Sequence, residues 1–129
     1  MFSIIIPSFN NLNYLKLCIK SLKKNSKFAH EIIIHVNEGT DGTLDYVVRN
    51  NLMHTHAEKN VGLCTSVNLA AAKATTEYIV FGHDDMYFCP GWDTAFYSQI
   101  NELNTKAYFL SGTLIEKGRG HIQMDCGDS

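Results

Sequence analysis

Strand-like and helix-like segments alternate four times along this 129-residue chain, which predicts an α/β fold: a mostly parallel sheet with helices on both faces. Three observations carry that prediction. Short β-branched runs recur, each bounded by turn residues. Between them lie stretches whose apolar residues return at helical spacing. The runs also end in polar residues rather than ordinary turn sequences, as strands do when their carboxyl ends form a site.

The elements follow in order. Phe2 to Ile6 reads as a buried strand closed by Pro7. Leu12, Leu15, Ile19 and Leu22, with lysines between them, predict an amphipathic helix over 12–22. Glu31 to Val36 is a second strand, followed by the turn Gly39-Thr40-Asp41-Gly42-Thr43. Thr43 is expected to cap a short helix through Leu44, Val47 and Val48. Met53 to Ala57 is a weak third strand, Val61 to Ala74 an alanine-rich helix, and Glu77 to Phe81 the fourth strand. Pro90-Gly91 opens a helix carrying Trp92, Phe96, Ile100 and Leu103, with Pro90 near its first turn. Ala107 to Leu110 and Thr113 to Ile115 read as later strands, and 116–129 as a poorly ordered or truncated tail.

Length and composition predict a single domain spanning 1–129, since 45% hydrophobic and 19% charged residues is ordinary globular usage. A net charge of −2 gives no general attraction for nucleic acid or anionic membrane, and Lys23-Lys24 reads as a solvated helix face. Cys18, Cys64, Cys89 and Cys126 form no CxxC pair and read as free thiols of a reducing compartment. No apolar run approaches the ~20 residues of a membrane span. A soluble cytoplasmic protein is expected, with peripheral membrane attachment and oligomeric state left open.

The chemistry concentrates at Tyr78-Ile79-Val80-Phe81-Gly82-His83-Asp84-Asp85-Met86, where an apolar strand runs into two adjacent carboxylates. Such a pair repels itself unless a cation lies between the chain and its ligand. The other strand ends are Pro7-Ser8-Phe9-Asn10, Asn37-Glu38-Gly39-Thr40 and, after the third strand, Glu58-Lys59-Asn60-Val61-Gly62. Ligands of open α/β sheets bind outside the carboxyl ends of the strands, so these segments are expected to share one crevice. Two histidines, His54 and His56, alternate on a strand without a third ligand nearby, a poor zinc pattern. Cys64 lacks the His and acid that would make it a nucleophile.

In that order and spacing, residues 2 to 115 resemble the family 2 glycosyltransferases, inverting enzymes of the GT-A fold that use nucleotide-diphosphate sugars. Ile4-Ile5-Ile6-Pro7-Ser8-Phe9-Asn10 resembles their opening strand and Pro-x-Tyr-Asn turn. Val36-Asn37-Glu38-Gly39-Thr40-Asp41-Gly42-Thr43 resembles their Val-Asp-Asp-Gly-Ser-x-Asp-Gly-Thr segment, one residue shorter. Asn60-Val61-Gly62, Asn68 and Glu77-Tyr78-Ile79 follow in the family's order. His83-Asp84-Asp85 stands at the acidic DxD-type motif, and Cys89-Pro90-Gly91-Trp92 at the helix start after it.

The resemblance implies a nucleotide-sugar donor site. Asp85 would bind the Mn²⁺ or Mg²⁺ that holds the diphosphate, with Asp84 beside it near the ribose or sugar; hard ions take one or two carboxylates plus phosphate oxygens. The bland reading is a pair of aspartates in a strand-to-helix turn. Glu38 matches the acid that meets the base, which favours uridine because its ring N–H can donate to a carboxylate; otherwise it is a solvated loop acid. Phe9 matches an aromatic packed on the base, or is a core phenylalanine. Pro7, Ser8 and Asn10 would line the nucleoside, and Asn60 and Gly62 would let backbone approach the donor. Asn68 matches a polar position on the next helix, although Val67 stands where many members carry Arg. His83 replaces an acid, and either joins the metal site or is a hydrogen-bonded turn residue.

The expected activity is inverting transfer of a sugar to an acceptor hydroxyl, with metal stabilising the departing diphosphate and a carboxylate as base. That base is not identifiable: Glu116, Asp125 and Asp128 are the only later acids, and none sits in a recognisable motif. Either the chain is a fragment or truncated form, the favoured reading, or it uses a reduced acceptor site; the rival reading is a non-catalytic nucleotide-sugar-binding module, and the acceptor, whether glycan, lipid or protein, is not legible. A phosphoacceptor receiver domain needs an acidic pair after the first strand, where Pro7-Ser8 stands. A dinucleotide-dependent oxidoreductase needs G-x-G-x-x-G there, which is missing.

Overall fold

The computed structural model describes residues 1–103, 114–115 and 122–123. Four strands form a parallel sheet in the order β3-β2-β1-β4: β1 is Phe2–Phe9, β2 Glu31–Asn37, β3 Met53–Ala57 and β4 Tyr78–Phe81. Between them run α1 (Leu12–Asn25), α2 (Thr43–Arg49) and α3 (Leu63–Ala71). The chain steps outward from β1 to β2 to β3, then returns across the sheet to β4. Right-handed crossovers therefore place α1 and α2 on one face and α3 on the other. The reversal beside β1 is the point at which open α/β sheets bind ligands.

The strands form because their β-branched residues are buried on both faces: Ile4, Ile5, Ile6, Ile33, Ile34 and Val36 are all inaccessible to solvent. Ala70 of α3 closes on Ile5 and Ile33, with Val67, Ala71 and Ala74 around it. Leu15, Ile19 and Leu22 form the buried stripe of α1, and Val47 that of α2.

Several boundaries differ from the sequence expectation, each for a local reason. Pro7 does not close β1, which pairs with β2 as far as Phe9↔Asn37. The Ile5 carbonyl faces β4, accepting from the Gly82 amide at 2.9 Å, so Pro7, two residues on, presents its missing N–H to the same side. The β4 ladder has ended by then, at Ile5↔Phe81, and nothing is lost. Thr43 is not the cap of α2 but its first residue, following Gly42. Asp41 accepts instead, from the Thr43 amide (3.1 Å) and hydroxyl (2.6 Å). α3 is shorter than 61–74 because the Asn60 side chain accepts from the Gly62 amide (3.0 Å), holding 60–62 in a turn.

The chain divides into two compact units, 1–92 and 93–129. At the end of the first, the Trp92 amide donates to the Cys89 carbonyl (3.2 Å) across Pro90 and a Gly91 with φ of 84°, the signature of a type II turn. Pro90 thus lies two residues before α4 (Trp92–Glu102), near its first turn as expected. In the second unit, β5 (Leu114–Ile115), within the strand expected over Thr113 to Ile115, pairs antiparallel with β6 (Ile122–Gln123). The strand expected over Ala107 to Leu110 lies outside the described residues. Among those described, no helix is long and apolar enough to cross a membrane.

Candidate functional site

The carboxyl ends of the strands enclose a crevice of about 290 Å³, at the lower end of the roughly 300–1,000 Å³ of ligand pockets. One wall is the end of β1, Pro7, Ser8 and Phe9, with Asn11 beyond it. His83 and Asp84, after the neighbouring strand β4, form a second wall beside it. The floor is built from Asn37 at the end of β2, with Asn60, Gly62, Leu63 and Ser66 leading into α3.

The two walls are tied together. The Ser8 hydroxyl donates to Oδ2 of Asp84 at 2.9 Å. Ser8 is buried, so the bond fixes the half-buried carboxylate at the crevice rim. Oδ1 of Asp84 receives no hydrogen bond from the described residues, and exposed Asp85 receives none at either oxygen. Phe9 is 46% exposed at the mouth, an aromatic face open to a planar ligand.

Polar side chains brace the loops behind these walls. Asn10, in a left-handed conformation (φ 46°), accepts from the Gly39 and Thr40 amides at 3.0 and 3.1 Å. It thereby joins the β1 and β2 loops. Gly39 cannot be exchanged there: its φ is 81°, and a Cβ would lie 2.7 Å from Val36. Glu38, also left-handed (φ 60°), donates its amide to the Ala57 carbonyl and accepts at its own carbonyl from His56. His54 likewise bonds the Leu52 carbonyl. Asp41 is desolvated, which raises its pKa, but bonds from the Thr43 hydroxyl and the Leu12 and Thr43 amides hold it below its ordinary value.

A buried polar chain supports the floor. Asn37 donates to the Ser66 hydroxyl (2.9 Å), which donates on to the Gly62 carbonyl. Its oxygen accepts from the Val61 amide (3.1 Å) and meets Nε2 of His35 at 3.2 Å. Nε2 must carry the proton for that bond, leaving Nδ1 to accept from the Thr55 hydroxyl at 2.6 Å. Burial pushes the His35 pKa below its ordinary 6.5; the Asn37 bond opposes this and the neighbouring His56 reinforces it. His35 is therefore a neutral strut for the Asn60-Val61-Gly62 turn.

Of the residues expected from sequence, Pro7, Ser8, Phe9, Asn60, Gly62 and Asp84 line the crevice. Asn10 braces it, Glu38 and Asp85 stand outside the lining, and Asn68 is exposed on α3. The sequence reading placed Asn37 among the strand ends of the crevice without a role of its own, and did not single out Asn11, Leu63 or Ser66. Ser66 was detectable as the polar residue in phase with Val67, Ala70 and Ala74 on the buried side of its helix. Glu116, Asp125 and Asp128 lie outside the described residues.

Residues 3–125 match the family model described as "Glycosyl transferase family 2". The chain belongs to this family. Its fold is the GT-A fold, matched by the crystal structure of S. aureus TarS 1-349 at 28% identity and a TM-score of 0.80. That match covers 95% of this chain and 38% of TarS 1-349. The complex of TarS 1-349 with UDP matches at 28% identity, with the same coverage and a TM-score of 0.79. The mannosyltransferase PcManGT of Pyrobaculum calidifontis, in complex with GDP-Man and Mn²⁺, matches at 23% identity and a TM-score of 0.60. It covers 73% of this chain and 30% of PcManGT, a likeness of fold alone. No curated protein sequence matches the chain. In this family 2 chain, Asp84 of the acid pair and Pro7, Ser8 and Phe9 of the β1 turn line one crevice.

Among the described residues, no three His, Cys, Asp or Glu side chains gather as a metal-binding group. The hard-oxygen pair Asp84 and Asp85 nonetheless suits Mn²⁺ or Mg²⁺, which usually keeps water and phosphate oxygens around one or two carboxylates. The unbonded Oδ1 of Asp84 supports that fit.

Proposed function

We propose that this chain binds a nucleotide-diphosphate sugar, a UDP-sugar, and transfers its sugar to an acceptor hydroxyl with inversion, assisted by a divalent ion. The observation that carries the reading is the Ser8–Asp84 bond, which sets a free carboxylate oxygen on the wall facing the nucleoside-sized crevice of a family 2 chain. The UDP complex of TarS supports uridine as the base.

Phe9 stacks on the base, and stacking of this kind contributes about 1–3 kcal/mol. Pro7, Ser8 and Asn10 shape the nucleoside wall, and Glu38 accepts from the base edge. Asn60 and Gly62 let the donor approach the backbone, with Asn68 on the helix beyond. Asp84 and Asp85 hold Mn²⁺ or Mg²⁺, which when bound supplies Lewis-acid stabilisation of the departing diphosphate. The acceptor's proton passes to a base that we do not assign. The three described cysteines, Cys18, Cys64 and Cys89, are free thiols, in keeping with a cytoplasmic setting.

Calorimetric titration of UDP into the chain, with and without Mn²⁺, tests the reading. Micromolar binding that requires Mn²⁺ and is weakened about a hundredfold by Asp85→Ala is expected. If folded protein binds neither UDP nor GDP, CDP or dTDP under either condition, the donor-site reading is wrong.

A further inference from the structure

The loop carrying the acid pair is gripped from behind by one face of α1. Its first residue continues the sheet, with the Gly82 amide on the Ile5 carbonyl at 2.9 Å. Its last, Phe88, folds back until its ring meets Gly82; a Cβ on Gly82 would sit 3.3 Å from Cζ. Between these closed ends, the backbone polar groups are met by side chains spaced for one helix face. Cys18 Sγ donates to the His83 carbonyl (3.6 Å), Ser21 Oγ accepts from the Phe88 amide (2.9 Å), and Asn25 Nδ2 donates to the Phe88 carbonyl (2.7 Å). Positions 18, 21 and 25 lie three and four residues apart, which stacks them along a single side of the helix. The Ser21 hydroxyl is itself aimed by donating to the Cys18 carbonyl at 2.6 Å.

These contacts fall on both sides of Asp84 and Asp85 and on neither carboxylate. Cys18 and Ser21 are buried, so the polar groups cannot exchange their partners for water. Burial, and after it the charges of Asp84 and Asp85, push the Cys18 thiol up to about 12, which keeps it a protonated donor to the loop. Ser8 then holds one oxygen of Asp84 from the front.

We propose that Cys18, Ser21 and Asn25 are positioning residues for metal-dependent donor binding, holding the 82–88 loop so that the two carboxylates face the diphosphate together. This rests on the donor-site reading above. A loop freed from α1 would still present both acids but would have to order them on binding, which lowers metal affinity.

The test uses the whole chain and two variants, Ser21→Ala and Asn25→Ala; Asn25 is half-buried at the last residue of α1, so that variant folds even if Ser21→Ala does not. Hydrogen exchange of 82–89 is read by mass spectrometry, and UDP is titrated with and without Mn²⁺. Exchange across 82–89 should rise with β1 and β2 unchanged, and the gain in UDP affinity due to Mn²⁺ should fall about tenfold, the low end of the loss when outer support of a metal site is removed. Metal-free UDP affinity should hold, and Asn25→Gln should recover part of the Mn²⁺ gain. Unchanged loop exchange overturns the inference, as does a loosened loop with an undiminished Mn²⁺ gain, or an equal loss with and without metal. Failure of the donor-site reading appears separately, as the absence of Mn²⁺-dependent UDP binding in the unaltered chain; it removes the metal role and leaves the exchange result to report on the brace alone.

Discussion

β1 carries a buried serine near each end, and the two serines meet carboxylates of opposite availability. At the amino end, Ser3 donates to Oε1 of Glu31 (2.7 Å), and Glu31 also accepts from the Thr75 amide (2.9 Å) and hydroxyl (2.6 Å). Both Glu31 oxygens are occupied, and its bonds from the Thr75 hydroxyl, Ser3 and the Thr75 amide hold its pKa below the ordinary value. At the carboxyl end, Ser8 donates to one oxygen of Asp84, and the other three oxygens of the Asp84-Asp85 pair receive no hydrogen bond from the described residues. The same pairing is a saturated tie at the lower pole; at the upper it leaves a half-buried and an exposed carboxylate open to solvent, and it is there that the donor site is proposed.

Substitutions at the two poles should therefore separate binding from stability. Asp85→Ala has the largest expected effect: about a hundredfold loss of Mn²⁺-dependent UDP affinity, about 2.7 kcal/mol. Because Asp85 is exposed, unfolding free energy should stay within about 0.5 kcal/mol. Calorimetry beside thermal melts checks both halves, and a large fall in melting temperature would erase the contrast. Glu31→Ala should do the reverse. Losing the Ser3 and Thr75 bonds costs about 1 kcal/mol in denaturant unfolding, because exposed Thr75 turns to water and Ser3 keeps Thr76 as a partner, with UDP affinity unchanged.

Phe9→Leu sharpens the comparison within the upper pole. The ring is 46% exposed, so its removal should leave stability intact while weakening UDP about tenfold, within the ~1–3 kcal/mol range of base stacking. Equal UDP affinity in the variant would make Phe9 a surface aromatic and move the base elsewhere.

How far the sequence could be read follows the same division. The alternating order of elements was legible because burial on both faces forces uninterrupted runs such as Ile4-Ile5-Ile6 and Ile32-Ile33-Ile34, and helix stripes such as Leu15, Ile19 and Leu22. The doubled aspartate and the Asn-Val-Gly turn were legible because they break those patterns. The supports were not. Asn37 meets Ser66 across 29 residues, and Ser21 and Asn25 meet Phe88 across more than 60. Such pairs leave no local period, and each member looks like an ordinary polar residue of a strand end or helix. Pro7 misled for a related reason: whether its missing N–H matters depends on where a strand 70 residues later turns away.

His35 yields the smallest effect and the one with a definite sign. It is fully buried at the upper pole between Thr55 and Asn37, with His56 the titratable group acting on it. Its native pKa is lowered below the ordinary 6.5, so as the medium acidifies the unfolded chain takes up the proton first. The stability it contributes is complete above pH 6.5 and is lost as pH falls from 6.5 toward the native value, at no more than about 1.4 kcal/mol per pH unit. Glu31 and Asp41 have the same sign but begin to act near their ordinary values of 4.5 and 3.8, whereas the His35 loss begins at 6.5. Denaturant unfolding at pH 7.5, 6.5 and 5.5 should show stability lost over the last step, by at most about 1 kcal/mol, a loss absent from His35→Gln. Protonation also removes the acceptor that the Thr55 hydroxyl uses, and the strain passes through Asn37 to the Val61 amide and the floor of the crevice. UDP affinity should therefore weaken over the same window, whereas a stability loss with unaltered affinity would confine His35 to the sheet and detach it from the site.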